Sequence, residues 1–565
     1  MTRRALRLAA AASLLPATLA LTALAPLADT ATDEARGKQW WAHVQYLASD
    51  EMQGRLTGSP EYLKAAAYVV AQFKADHLTP AGENGTWFQQ VHFDVTRVDQ
   101  SASSLALTSG GTTTPLTLGK NAILSARSNP PADVDAPIVF IGYGLHLPES
   151  HYDDFASPEL PAASLRGKIV VEINGGPATL SGPLKSYART SPHAREIADL
   201  GILGVITIPT PKSMDFGFDR VAALASQPAM SLAATPSDAA VAAAHPALAN
   251  FHNHTLSVTM NPADADKLFA NTGHTFAELL ALADAQQPLP HFDLHKSIRA
   301  HVAVEHSTVV SPNIVAKLEG ADPKLKSQYV LVSAHLDHLG VGNPVTTPPA
   351  DPSKRIYNGA MDDASGVATV LETAKIFATR AAHGQRPKRS ILFLAFTAEE
   401  KGLLGSRYFA SQPTVPPASL IADLNLDMFL PLFPLKKLHV QGLDESTLGD
   451  DARTVGAAHH ITIAGDPEPD RNSFTRTDQY SFVQAGIPAL AMKFGWEMGS
   501  PEYHAWRNWL AQRYHSTADD LSQPVDLPAA AQFNTFFADL AQEVADNPTT
   551  PHYRNTSFFH RFESH

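Results

Sequence analysis

The chain predicts an α/β fold: a mostly parallel central sheet with helices on both faces, interrupted by an inserted β-rich domain. Three observations predict it. From Ile298 onward, apolar runs of strand length alternate with segments of helical spacing, the pattern of a parallel sheet built from crossover units. From about Leu105 to His295 the pattern changes to short β-rich runs (PLTLGKNAILS, APIVFIGYGL, GKIVVEING, ILGVITI) punctuated by Pro, Gly, Ser and Asn. Ahead of both, Trp40, Val44 and Leu47 form one helical stripe, and Tyr62, Ala66, Val69, Val70 and Phe73 form a second.

The strand candidates of the alternating part are Tyr329 to Ala334, Ile391 to Phe396 and Leu420 to Leu426. A helix opening near Gly366 sets Val367, Val370, Leu371, Ala374 and Phe377 on one face. Inside the β-rich part, SPHAREIADL reads as a helix with Ser191 as N-cap and Pro192 at its first position. His193, His245, His252 and His254 lie there without ligand spacing and read as surface or satisfied histidines. The loop SDEMQGRLTGSPEY joins the two N-terminal helices.

With 565 residues the chain exceeds one ordinary core. A hydrophobic fraction of 44% and a charged fraction of 18% are those of a globular protein. Against 43 Lys and Arg stand 56 Asp and Glu, a formal charge of −13, which argues against a nucleic-acid partner. There is no cysteine, so disulfides, thiol nucleophiles and Cys-based metal sites are excluded, and any metal must sit on His and carboxylates. Arg3, Arg4 and Arg7 precede an Ala- and Leu-rich run from Leu8 to Ala28, which reads as a cleaved signal peptide and predicts an exported protein, periplasmic or extracellular, without stable membrane insertion.

Five candidate metal ligands recur at the ends of the predicted strands or in the loops that follow: His335 in SAHLDHLG, Asp362 in NGAMDDASG, Glu400 in FTAEEKG, Asp427 in NLDMF and His515 in RYHSTADD. Ligand sites of open α/β sheets lie at the carboxyl ends of strands, so placement and chemistry agree. Nitrogen and carboxylate donors suit Zn²⁺, and two zinc ions can share a carboxylate and a water for hydrolysis. Asp337 stands two residues after His335 on the same face, where it can accept the other ring N–H. His338, one residue beyond, is expected to point elsewhere. Asp362 and Asp363 would repel unless a cation neutralised one of them, and Asp363 alone can cap the helix through Ser365-Gly366. Glu399 and Glu400 diverge, so one can ligate while the other serves as general base. Asp427 closes an apolar run in which an unpaired charge is costly.

In this order the residues resemble the M28 zinc aminopeptidases, whose succession is His-x-Asp, Asp-x-x-Ser-Gly, Glu-Glu-x-Gly, Asp, His. The likeness extends to SDEMQGRLTGSPEY, TDQYSFVQAGIPAL and YHSTADD. The β-rich part, with GYGL, YDDF and LRGKIVV, looks like a protease-associated domain. The resemblance implies a phosphorylase/hydrolase-like zinc peptidase domain divided as residues 29–108 and 297–546 around an insertion of 109–296, after a signal of 1–28 and before a tail of 547–565. It implies two zinc ions per chain. Asp362 bridges them, Glu400 and His515 complete one, and His335 and Asp427 complete the other. Glu399 is then the general base, Asp337 orients His335, Tyr514 faces the developing oxyanion, and the Asp362-Asp363 peptide is cis. The expected substrates are peptides with a free N-terminus, with carboxypeptidase, other amidohydrolase and non-enzymatic receptor or adhesion readings as alternatives. The Trp- and Gly-rich stretch Lys493 to Arg513 is expected to line the pocket.

Overall fold

The computed structural model describes residues 30–127, 129–249, 254–342 and 355–563. The expected signal peptide and His252 lie outside the described residues. Two large sheets organise the chain. The first runs in the order Ala229–Leu232, Phe88–Val98, Val304–Leu318, Ser390–Phe396, Tyr329–His335, Leu420–Asn425, Ala489–Phe494, Lys437–Gln441, Thr462–Ala464, with Thr79–Pro80 pairing beside Val304–Leu318. Its four central strands, from Ser390–Phe396 to Ala489–Phe494, are mutually parallel. Outside them the pairing is largely antiparallel, including a long ribbon between Phe88–Val98 and Val304–Leu318.

Strand alternation explains the two-sided core. Val330, Val332 and Ala334 face one way, against Trp40, Val44, Phe73, Val367, Val370, Leu371, Phe377, Phe533 and Phe537. Leu331 faces the other way, with Leu392, Leu394, Phe396, Phe409 and Phe482. Both stripes read from the N-terminal sequence are buried, on helices Thr30–Leu47 and Pro60–Ala75. The second starts as its sequence dictates: the Ser59 hydroxyl accepts the Tyr62 amide at 3.0 Å, and Pro60 occupies the first turn.

The second sheet has eight strands, all drawn from between Ser104 and His301, and its own apolar core around Phe140, Val171, Ile206, Val258 and Ile298. The chain does not stay within it: Ala229–Leu232 leaves that region to pair with Phe88–Val98 at the edge of the first sheet. The predicted helix forms as Ser191–Asp199, with Thr190 rather than Ser191 at the cap position. His193 is satisfied there by Glu172 at 3.0 Å. The C-terminal segment folds back on Phe474, Tyr480, Val483 and Ala489: Tyr553 and Phe559 are buried, and the Tyr553 hydroxyl donates to the Ile487 carbonyl at 2.9 Å. Among the described residues no helix is long and apolar enough to cross a membrane.

Trp40 fastens the N-terminal helix to the helix Ser365–Ala382. Its ring is fully buried, and its indole N–H faces the Ser365 carbonyl at 3.2 Å and the Thr369 hydroxyl at 3.0 Å. Trp40→Ala is therefore expected to cost about 3–5 kcal/mol, as large-to-small changes in packed cores do, read as a shift of the urea midpoint at unchanged slope.

Candidate metal centre

All five predicted ligands converge beyond the carboxyl ends of the central strands. His335 is the last residue of Tyr329–His335, and Asp427 follows Leu420–Asn425 by two residues. Glu399 and Glu400 follow Ser390–Phe396 after a left-handed residue, Ala398, that turns the chain out of the sheet. Asp362 lies in the turn before the helix Ser365–Ala382, and the peptide joining it to Asp363 is cis. His515 arrives from a loop after the helix Pro501–Gln512.

Asp362 sits between two imidazoles. One carboxylate oxygen is 3.2 Å from His335 Nε2 and the other 3.1 Å from His515 Nε2. Two donor groups result. His335, Asp362 and Asp427 bring one ligand atom each within 4.8 Å of one another, and so do His338, Asp362 and Glu400. His515 Nε2 is also 3.2 Å from Glu400 Oε2 and thus joins the second group.

His338 corrects the sequence reading. Instead of pointing away, its fully buried ring places Nδ1 2.7 Å from Glu400 Oε1 and 4.0 Å from Asp362 Oδ1. Strand alternation failed as a guide because the strand ends at His335; past its end the chain turns, and the His338 amide donates to the Arg55 carbonyl at 3.2 Å. Gly359 makes room for this ring. It has a φ of 61°, and a Cβ there would overlap the Asp362 carbonyl and the imidazole of His338.

Asp337 also differs in detail from its expected role. His335 Nδ1 lies 3.1 Å from the main-chain carbonyl of Asp337, while the Asp337 carboxylate is 3.9 Å away. That carboxylate accepts instead from the Thr57 hydroxyl at 2.9 Å and the Glu399 amide at 3.1 Å. It therefore ties the His335 strand end to the turn carrying the two glutamates. Asp363 accepts the Gly366 amide at 3.0 Å, the helix-start role that its spacing allowed. Tyr514 packs beside His515 with ring centroids 4.0 Å apart and the planes tilted by 37°, and it lines the same cavity.

Residues distant in sequence hold this geometry. The loop SDEMQGRLTGSPEY supplies Arg55, whose buried guanidinium donates to the carbonyls of Leu47, Leu336, Asn358 and Gly359 at 2.6–3.0 Å. Burial lowers its pKa to about 10, still cationic at neutral pH beneath the acidic cluster. Asp519, in YHSTADD, accepts the amides of Met361 and Asp362 at 3.0 and 3.1 Å, and burial pushes it up to about 8. Sequence reasoning assigned no role to Arg55, Thr57 or Asp519. Their only signal was membership of motifs whose spacing carries no ligand logic.

Burial drives Glu399 and Asp363 well above the ordinary carboxylate range and raises Asp427 and Asp337. Burial opposes charge on Asp362 and Glu400 too, but the adjoining imidazoles overcome it and hold both low. In return, and against their own burial, His335 is held well above its ordinary value and His515 is raised to about 10. The cluster thus needs positive charge, which without a metal comes from protons. His335 Nε2, Asp362 Oδ2, Glu400 Oε1 and Asp427 Oδ1 are buried without an aligned hydrogen-bond partner among the described residues. Imidazole and carboxylate donors left free in this way fit zinc. The centre forms one wall of a cavity of about 530 Å³, which Lys493, Trp496, Trp506 and Leu510 of the predicted pocket stretch also line.

Residues 313–541 match the model of peptidase family M28. A probable zinc metalloprotease of Pyrenophora tritici-repentis is 40% identical over 115 residues, 20% of this chain and 23% of that protein. Leupeptin-inactivating enzyme 1 of Streptomyces exfoliatus is 28% identical over 220 residues, 37% of this chain and 43% of that protein. The matched regions therefore span less than half the length of these curated relatives. Among solved structures, an aminopeptidase from Aneurinibacillus sp. strain AM-1 superposes with a TM-score of 0.54 at 20% identity, covering 92% of this chain and 97% of that one, a likeness of fold.

His335→Ala and Asp427→Ala are each expected to lower bound zinc per chain, measured by atomic emission after dialysis against metal-free buffer. Unchanged zinc in both would remove that donor group from the centre.

Proposed function

We propose, from the premise that residues 313–541 are a peptidase family M28 domain, that the protein is an exported di-zinc aminopeptidase releasing N-terminal residues from peptides. The observation that carries this reading is Asp362, placed with one oxygen toward His335 and the other toward His515. His335 and Asp427 would hold one zinc, Glu400 and His515 the other, and Asp362 would serve both. Bound there, the zinc ions supply Lewis acidity toward a scissile carbonyl and make an attacking water more acidic at neutral pH.

The protein side chains account for the remaining steps. Glu399 lines the cavity beside the donors, and neither donor group includes it. Its elevated proton affinity suits a group that takes a proton from the attacking water and returns it to the leaving amine. Tyr514 has burial as its main cause of a raised pKa, stays a phenol at working pH, and can donate to the oxygen on which negative charge develops. The Asp337 carboxylate keeps Glu399 in register with His335 by holding its main-chain amide. A receptor or adhesion module gives no account of buried donors left without partners beside a carboxyl group of raised pKa.

Glu399→Gln is expected to retain zinc while losing several orders of magnitude in kcat; a near-native rate would remove Glu399 from the proton transfers. Wild-type protein should cleave chromogenic amino-acid amides with a free amine, resist their N-acetyl counterparts, lose activity to a chelator and recover it with zinc. Equal cleavage of the acetylated compounds would overturn the aminopeptidase reading.

A further inference from the structure

The cavity carries more cationic than acidic side chains on the part of its wall away from the metal centre, and the reaction described above does not use them. Away from the metal-facing carboxylates, its wall holds five cationic side chains, Arg127, Arg407, Arg471, Arg476 and Lys493. Only three acidic ones accompany them, Asp215, Asp466 and Glu468, in a chain whose overall charge is −13.

Each of those acids is already engaged. Asp215 is shared: one oxygen pairs with Arg471, and the other lies 3.0 Å from Arg476. Glu468 stands 3.6 Å from Arg471, and Asp466 accepts the Glu468 amide at 2.8 Å. Arg471 and Arg476 are thus matched by Asp215 and Glu468, and the excess on that wall falls to Arg127, Arg407 and Lys493 against Asp466.

Lys493 has no such partner. It lies on the strand Ala489–Phe494, half-buried, and its ammonium makes no direct hydrogen bond or ion pair among the described residues. It is close enough to both Asp427 and Asp215 to favour their charged forms, so the metal centre and the arginine pair are both within its electrostatic reach. With carboxylates near it but none in direct contact, this ammonium is free to take a ligand carboxylate as its immediate partner. Beside it, Phe494, Trp496, Trp506 and Leu510 form an apolar wall suited to a hydrocarbon stem rather than a second charge.

We propose that Lys493, backed by Arg476, is a carboxylate-binding specificity site, so that the centre acts preferentially on short peptides with an acid group near the scissile bond. This rests on the peptidase reading and deepens it. The carboxylate can come from the side chain of an acidic N-terminal residue or from the free C-terminus of a dipeptide; both present the same anion to the same ammonium.

Two matched pairs distinguish the sources. L-glutamic acid p-nitroanilide and L-glutamine p-nitroanilide differ only in a side-chain carboxylate, and leucylglycine and leucylglycinamide only in a terminal one. In the zinc-loaded enzyme, kcat/KM for the acid of at least one pair should exceed that for its amide by about ten- to hundredfold, the worth of one charge-assisted hydrogen bond. Lys493→Met should bring that ratio close to one, and Lys493→Arg should restore most of it. Ratios near one for both pairs in wild-type protein, or a preference that survives Lys493→Met, would overturn the proposal. If none of the four compounds is hydrolysed, the aminopeptidase reading fails, and calorimetric titration of the same four decides the carboxylate site by itself. Tighter binding of an acid than of its amide, lost in Lys493→Met, supports it; equal affinities refute it.

Discussion

The structure depends on one constraint: six carboxyl groups, Asp337, Asp362, Asp363, Glu399, Glu400 and Asp427, are crowded at the carboxyl ends of neighbouring strands, largely withdrawn from bulk water. In a medium of low dielectric such a cluster repels itself unless positive charge is built in. Two imidazoles, His335 and His515 on either side of Asp362, supply part of that charge, and the His338 ring packs against Glu400. The remaining demand is what a divalent cation satisfies, and the free donor atoms show where it would act.

The frame around the cluster meets the cost of holding like charges together. Asp363 and Asp519 accept main-chain amides at the two sides of the Asp362 turn, and Arg55 draws four carbonyls from three segments onto one guanidinium. These bonds tie the N-terminal loop, the strand end at His335 and the turn before the helix Ser365–Ala382 into one unit. The donors therefore cannot relax apart without breaking several buried hydrogen bonds at once.

The chain between Ser104 and His301 is more than a neighbour of this unit. From it, Arg127 and Asp215 reach the cavity wall, Phe216 packs its ring 6.0 Å from that of His515, and Arg220 donates to the carbonyls of Tyr514 and Ala511 at 2.8 and 3.0 Å. The loop bearing His515 is thus positioned partly by a region with its own core. Sequence periodicity gave no hint of this, because the contacts join residues about 300 positions apart through single side chains rather than through a repeating face.

By itself the sequence determined the α/β class, the β-rich interruption, the two N-terminal helices and the identities of the five converging candidate ligands. Strand ends are local: an apolar run that stops at His335, Phe396 or Asn425 fixes where a polar side chain can emerge, and glutamate, aspartate and histidine at those points leave little choice of chemistry. Only the tertiary structure decided that His338 turns inward, that Asp337 braces the glutamate turn rather than the imidazole of His335, that Arg55, Thr57 and Asp519 support the centre, and that the Lys493 ammonium makes no direct ion pair among the described residues. Each of these depends on which distant segments the order of the sheet brings side by side, and no local spacing of residues encodes that order.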